Sequence, residues 1–120
     1  MEPHSRQQLG AAAEQSALSA ARRRGWRCLA RNYRTRGGEL DLVLVDGDTL
    51  VVTEVRYRNT GRYGGGIASV DRRKQARIVR ATRHFLASHP RWTDAPVRFD
   101  VVGVDEAGRL EWIEDAFYVE

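Results

Sequence analysis

The fold turns on one stretch, ELDLVLVDGDTLVVTEVRY at residues 39–57. Glu39–Val45 and Thr49–Tyr57 are rich in Leu and Val and read as two strands. Asp46-Gly47-Asp48 joins them, a strong short-range hairpin signal. Side chains alternate across a strand, so Glu39, Asp41, Val43 and Val45 form one set. Leu50, Val52, Glu54 and Arg56 form a set on the next strand. With Gly47 and Asp48 as the central turn residues, Asp41 faces Glu54. With Asp46 and Gly47 central, Glu39 faces Glu54 and Asp41 faces Val52. Both two-residue turns put Asp41 and Glu54 on one face, whereas a three-residue loop would separate them, because a one-step slip flips a strand.

Working outward, residues from about Arg6 to Arg24 read as a helix rich in Ala, Gln and Arg, with Gly25 as its stop. Trp26–Tyr33 reads as a short strand and Arg34–Gly38 as a basic turn. Beyond the hairpin, Asn59–Gly66 holds four glycines and reads as a loop. Ser69 or Asp71 can cap a helix running to about Ser88. Pro90 and Pro96 bracket a connection. Val97–Val104 reads as a strand, Asp105–Gly108 as a turn and Arg109–Ile113 as a last strand. The order is α-β-β-β-α-β-β, which fits an α/β fold with helices packed on a mixed sheet.

The chain has 120 residues, 42% hydrophobic and 30% charged, ordinary values for a globular protein. One domain over residues 1–120 is the expectation. No stretch approaches the roughly 18 apolar residues of a membrane helix, and MEPHSRQQLG lacks the apolar run of a signal peptide, so a cytoplasmic protein without a membrane partner is expected. Cys28 is the only cysteine, which excludes an internal disulfide and a Cys-rich zinc pattern. Its apolar-leaning surroundings suit a buried structural thiol. The formal charge is +4, and of the 20 basic residues only Lys74 is a lysine. Arginine forks suit phosphate oxygens, which makes nucleic acid the natural partner to test.

In the register that sets Asp41 against Glu54, two carboxylates oppose each other among Val43, Leu50 and Val52. Like charges directly opposite are destabilising, so a cation, Arg56 or a metal ion should compensate. Mg²⁺ takes one or two carboxylates and completes its shell with water and substrate phosphate. An ion held there would polarise a phosphoryl oxygen and lower the pKa of a bound water, a route to phosphodiester hydrolysis. Two acids on a strand face also occur simply exposed or paired with arginines.

Gly38-Glu39-Leu40-Asp41-Leu42-Val43, followed by Val52-Thr53-Glu54-Val55-Arg56-Tyr57-Arg58, resembles the YraN-like bacterial proteins. Lys74, Arg98-Phe99-Asp100-Val101-Val102 and Ala116-Phe117 match further. Gly10 and Glu14 fit that family's opening helix, and Arg31-Asn32-Tyr33-Arg34 the segment before the acidic strand. The resemblance covers nearly the whole chain. That family is similar to the PD-(D/E)xK nuclease superfamily, in the style of archaeal Holliday-junction resolvases. The resemblance implies a restriction-endonuclease-like central mixed sheet flanked by helices. It implies Asp41 and Glu54 as ligands of Mg²⁺ or Mn²⁺, the Val55 carbonyl as a third, and Glu14 as the helical glutamate that completes some of these sites. On a helical wheel Glu14 falls near Ala17, Leu18 and Ala21, so it is either a buried, partnered group or the mark of a loose helix end.

The superfamily motif ordinarily ends in lysine, and Arg56 stands there. Arginine effectively cannot give up its proton, so Arg56 suits charge stabilisation on phosphate rather than general-base work. Lys74, from the second helix, is the candidate substitute. Arg73, Arg77, Arg80 and His84 share one face of that helix, widened by Arg72, Lys74 and Arg83. Ile78, Ala81, Thr82 and Phe85 form the opposite, core-facing stripe. Arg34, Arg36, Arg56, Arg58 and Arg62 add positive charge near the same elements. Phosphate contact through Arg58, Arg73, Lys74, Arg77 and Arg80 would make binding salt-dependent. Gly64-Gly65-Gly66 lacks the ending of a nucleotide P-loop and reads as a hinge or turn. Tyr57 and Tyr63 suit either base stacking or rim packing. His4, His84 and His89 show no ligand spacing, and Asp100 reads as a structural acid paired with an arginine. A metal-dependent DNA endonuclease, a nucleic-acid-binding module without cleavage, and a module whose arginines meet acidic proteins are the three readings. A resolvase-like role calls for a symmetric homodimer.

Overall fold

The computed structural model describes residues 6–58 and 70–118. Its elements are α1 (Arg6–Arg23), β1 (Arg27–Thr35), β2 (Gly38–Asp46), β3 (Thr49–Arg58), α2 (Arg72–Ser88), β4 (Val97–Asp105) and β5 (Leu110–Ile113), with a 3₁₀ turn at Pro90–Trp92. The order α-β-β-β-α-β-β is the one expected. The strands form one sheet in the order β1-β2-β3-β4-β5. β3 and β4 are parallel, and the other neighbours are antiparallel. The parallel pair requires a crossover, which α2 supplies.

The helices cover opposite faces. Ile78, Ala81 and Phe85 of α2 pack on Leu40, Val43, Val45, Leu50, Val52 and Val101. Ala13, Ala17, Leu18 and Ala21 of α1 pack on Leu42, Leu44, Val51, Val102 and Val104. The central strands are therefore buried on both sides, which explains their near-continuous Leu and Val runs. The stripe read for α2 is the buried one, Thr82 included, its hydroxyl donating to the Ile78 carbonyl at 2.8 Å. No helix among the described residues is long and apolar enough to cross a membrane.

Local chemistry sets the boundaries. Gly25 adopts φ 83, its amide donates to Arg22 O, and the Trp26 amide donates to Ala21 O. That pair of bonds is a Schellman stop, with Trp26 closing over the last turn. Asp46 pairs with Thr49, so Gly47 and Asp48 form the turn, with Gly47 at φ 60. Asp71 caps α2 by accepting from the Lys74 amide at 2.8 Å. Ser69, the alternative cap, lies outside the described residues.

Two expectations are corrected and one irregularity is new. β1 runs to Thr35, so the basic turn is shorter than Arg34–Gly38: Arg34 stays in the ladder opposite Glu39. The β1 register also shifts between Cys28 and Ala30, a bulge that no sequence signal marks. The alternation of β2 breaks at Asp41. Leu40 lies in the same core as Val43 and Val45, although it belongs to the other parity.

Candidate metal and nucleic-acid site

The β2–β3 ladder ends at Leu42 paired with Thr53. One step further the strands fork. The Val55 amide, left without a strand carbonyl there, donates to Asp41 Oδ2 at 2.8 Å. The Asp41 amide reaches Glu54 Oε2 at 3.5 Å. Each acid is thus tied to the other strand's segment, and the pair sits in the fork. A strand residue projects its N–H and C=O to the same side. The Val55 carbonyl is therefore turned to the fork as well.

Lys74, in the first turn of α2, brings Nζ to 3.3 Å from Glu54 Oε1. The Glu54 side chain is only 4% exposed. Burial, then the charge of Asp41, pushes its carboxyl up to about 7, against the opposing pull of Lys74. Asp41 is also raised, by burial first, with the Val55 hydrogen bond and Lys74 opposing. Two carboxylates forced together with one ammonium are poised to accept more positive charge.

Asp41, Glu54, Val55, Arg56, Tyr57 and Lys74 line a cavity of about 470 Å³. Arg56 is half-buried in this wall and its charge lowers the Asp41 pKa. Among the described residues, no three or more His, Cys, Asp or Glu gather into a metal-holding group. The donor set is two carboxylates and a carbonyl. That set fits Mg²⁺ or Mn²⁺, whose remaining positions are filled by water and phosphate.

Glu14 belongs to α1, on the other face of the sheet. It is half-buried and hydrogen-bonded to Asn32, and burial followed by the charge of Asp41 raises its pKa. It feels the charge of Asp41 but, among the described residues, does not join Asp41 and Glu54 in a three-acid group. Asn32, matched only as part of the segment before the acidic strand, was not foreseen as the partner of Glu14. It adopts φ 50 in the middle of β1, and asparagine's tolerance of that region is the signal that marks it.

Arg73, Arg77 and Arg80 are exposed along α2, while Lys74 leaves this ridge for Glu54. A Cβ on Gly38 would meet Arg77 O at 2.2 Å, and one on Gly37 would meet the Arg80 side chain at 3.2 Å. The β1–β2 turn, with exposed Arg36, therefore lies directly against the ridge. Arg34 pairs with Glu39 at 3.5 Å, both well exposed. Arg58 ends β3, but its side chain lies outside the described residues, as do His4, Arg62, Tyr63 and Gly64–Gly66.

Other residues have structural duties. Asp100 is fully buried and accepts from Arg98 Nε at 2.9 Å, Arg98 Nη2 at 3.1 Å, Trp112 Nε1 at 2.9 Å and the Asp115 amide at 3.0 Å. The expected arginine partner is thus Arg98. His84 is exposed and pairs with the Tyr33 hydroxyl, and His89 stacks on Phe85. Cys28 is half-buried rather than buried, and burial raises its thiol pKa, which keeps it protonated.

The model of the Uncharacterised protein family UPF0102 matches residues 13–104, a span that contains Glu14, Asp41, Glu54, Arg56 and Lys74. A UPF0102 protein of Pseudomonas entomophila (strain L48) is 51% identical over 112 residues, covering 90% of this chain and 91% of the relative. A UPF0102 protein of Xanthomonas campestris pv. campestris (strain B100) is 50% identical over 119 residues, 98% of each. One of Pseudomonas fluorescens (strain Pf0-1) is 43% identical over 118 residues, again 98% of each. With a family match over most of its length and relatives alike from end to end, the chain belongs to the UPF0102 family, the YraN-like proteins.

Proposed function

We propose that this chain is a metal-dependent endonuclease that hydrolyses phosphodiester bonds in DNA, with branched or structured DNA as its substrate class. The observation that carries the reading is the fork itself: Asp41 and Glu54 held together, with Lys74 3.3 Å from Glu54. Asp41, Glu54 and the Val55 carbonyl would hold Mg²⁺ or Mn²⁺. When bound, such an ion supplies Lewis-acid polarisation and a lowered pKa for water. Val55 fixes the orientation of Asp41 through its amide. Lys74 supports the ionised form of Glu54 and supplies the ammonium that position 56 lacks. Arg56 contributes fixed positive charge for phosphate on the same wall. Arg73, Arg77 and Arg80 hold the DNA backbone, with Arg58 following β3, and Glu14 assists from α1 through the field of Asp41. The proposed setting is the cytoplasm, with a symmetric dimer presenting two sites to a junction.

A second reading, a DNA-binding module with little cleavage, is favoured by Arg56, which cannot take a proton, and by the existing neutralisation of Glu54 by Lys74. Incubating the full chain with labelled linear, single-stranded and four-way-junction DNA, with Mg²⁺, Mn²⁺ or EDTA, separates the two. Cleavage abolished by EDTA and by both Asp41→Ala and Glu54→Ala supports the nuclease. Binding without cleavage under either metal supports the module. No salt-sensitive binding to any DNA overturns both.

A further inference from the structure

A second cavity, about 580 Å³, lies between α1 and the end of the sheet. Leu9, Ala13, Ser16, Tyr57, Val104 and Asp105 are in its wall. Tyr57 is half-buried and also lines the acid cavity. Glu54 and Tyr57 are separated by only two residues on β3, and the fork opens the sheet beside both. One aromatic ring therefore stands between the acid pair and a larger, mostly apolar space.

We infer that this cavity is a subsite for an unstacked nucleobase of the DNA strand engaged at the acid pair. The inference rests on the proposed nucleic-acid function and names what its substrate must offer, a nucleotide free of its duplex partner. The occupant is argued from three features. Tyr57 lines both cavities, so a strand at Asp41 and Glu54 and a base in the larger space would share one aromatic wall. Tyr57 offers a ring face for stacking, and Leu9, Ala13 and Val104 offer apolar contact to the rest of a base. The polar wall suits a base edge and repels a phosphate. Asp105 and Glu106 bring carboxylates. The Arg109 amide, followed by the Ala107 amide and the Arg109 guanidinium, holds the Asp105 carboxyl below its usual range. An ionised carboxylate only accepts, which matches the exocyclic amines of adenine, cytosine and guanine. Asp105 Oδ1 is occupied by the Ala107 and Arg109 amides, and Oδ2 takes the Arg109 Nε at 3.1 Å and keeps acceptor capacity.

The test places 2-aminopurine either in a single-stranded arm or within the duplex of an otherwise identical DNA, in EDTA so that binding is read without cleavage. The full chain is expected to quench the unpaired probe and leave the paired one unchanged. Tyr57→Ala should abolish the quenching and weaken binding of the armed DNA about tenfold, as expected for one stacked base. Tyr57→Phe should retain both. Ala12→Phe, at an exposed lining position, places a ring in the cavity while keeping Tyr57 and should also abolish the quenching. Salt-sensitive DNA binding with quenching unchanged in Tyr57→Ala and Ala12→Phe, or with no quenching at all, overturns the subsite and leaves the nuclease reading standing. No binding of either DNA overturns both.

Discussion

The Val55 amide donates to the Asp41 carboxylate at 2.8 Å, in place of the backbone bond that would have continued the hairpin ladder. This one substitution of a side chain for a carbonyl makes the fork. It releases β2 from β3 where Glu54 stands and gives Asp41 a fixed orientation. It also lets Lys74 reach Glu54 from α2.

The pair should make stability depend on pH in an unusual direction for acids. The Glu54 pKa is raised from 4.5 to about 7, so the folded state binds the proton more tightly than the unfolded chain. The stabilisation is complete below about pH 4.5 and is lost as pH rises through about 7. The difference is worth on the order of 3 kcal/mol, and the raised Asp41 acts in the same direction. Without added metal, the wild-type melting temperature should fall between about pH 5 and pH 8 by more than in Glu54→Gln. At about pH 8, Glu54→Gln should be the more stable of the two by about 1–3 kcal/mol in urea unfolding.

Gly38→Ala should destabilise the fold by about 1–3 kcal/mol. The added Cβ would meet Arg77 O at 2.2 Å, and Arg77 O is backbone that cannot swing away. A shift of the urea midpoint at constant m-value is the readout. Gly10→Ala, where a Cβ meets nothing within 4 Å, is the control and should leave the midpoint unchanged or raise it.

Asp100→Ala removes the buried acceptor shared by the Arg98 guanidinium, the Trp112 indole N–H and the Asp115 amide, leaving Arg98 only its longer pairings with Asp46 and Glu114. Losing one partner of a buried ion pair costs about 3–5 kcal/mol. Denaturant unfolding should show that loss, while metal binding in the folded protein is retained. Retention separates this acid from Asp41 and Glu54.

The arginine ridge should reveal itself through salt. Arg77→Ala and Arg80→Ala should each weaken DNA binding across sequences and lower the slope of log affinity against log salt by about 1. Fluorescence anisotropy over a range of KCl measures that slope. Arg91→Ala, at an exposed position on the 3₁₀ turn, should change it little.

The hairpin was readable because Leu and Val runs flank an Asp-Gly turn, and the observed register is one of the two that put Asp41 beside Glu54. The α2 stripe was readable because Ile78, Ala81, Thr82 and Phe85 recur at helical spacing. The fork was not. Leu40, Leu42, Val43, Leu44 and Val45 are apolar at both parities, so alternation cannot show that Leu40 changes face. The Cys28–Ala30 bulge and the position of Asn32 are likewise tertiary outcomes of strand pairing. Lys74 could be named as a substitute for the missing lysine, but its approach to Glu54 depends on the Asp71 cap and on how α2 docks. Asp100 was legible as an arginine-paired acid, whereas Trp112 as a further partner was not.

The most direct measurement is a Mn²⁺ titration of the full chain followed by electron paramagnetic resonance. The wild type should bind a Mn²⁺ ion per chain, more tightly as pH rises through about 7 and Glu54 loses its proton. Asp41→Asn and Glu54→Gln should each abolish that binding while leaving the fold intact by circular dichroism. Equal Mn²⁺ binding by all three proteins, or none by the wild type at millimolar metal, would contradict the assignment of Asp41 and Glu54 as a metal-holding pair.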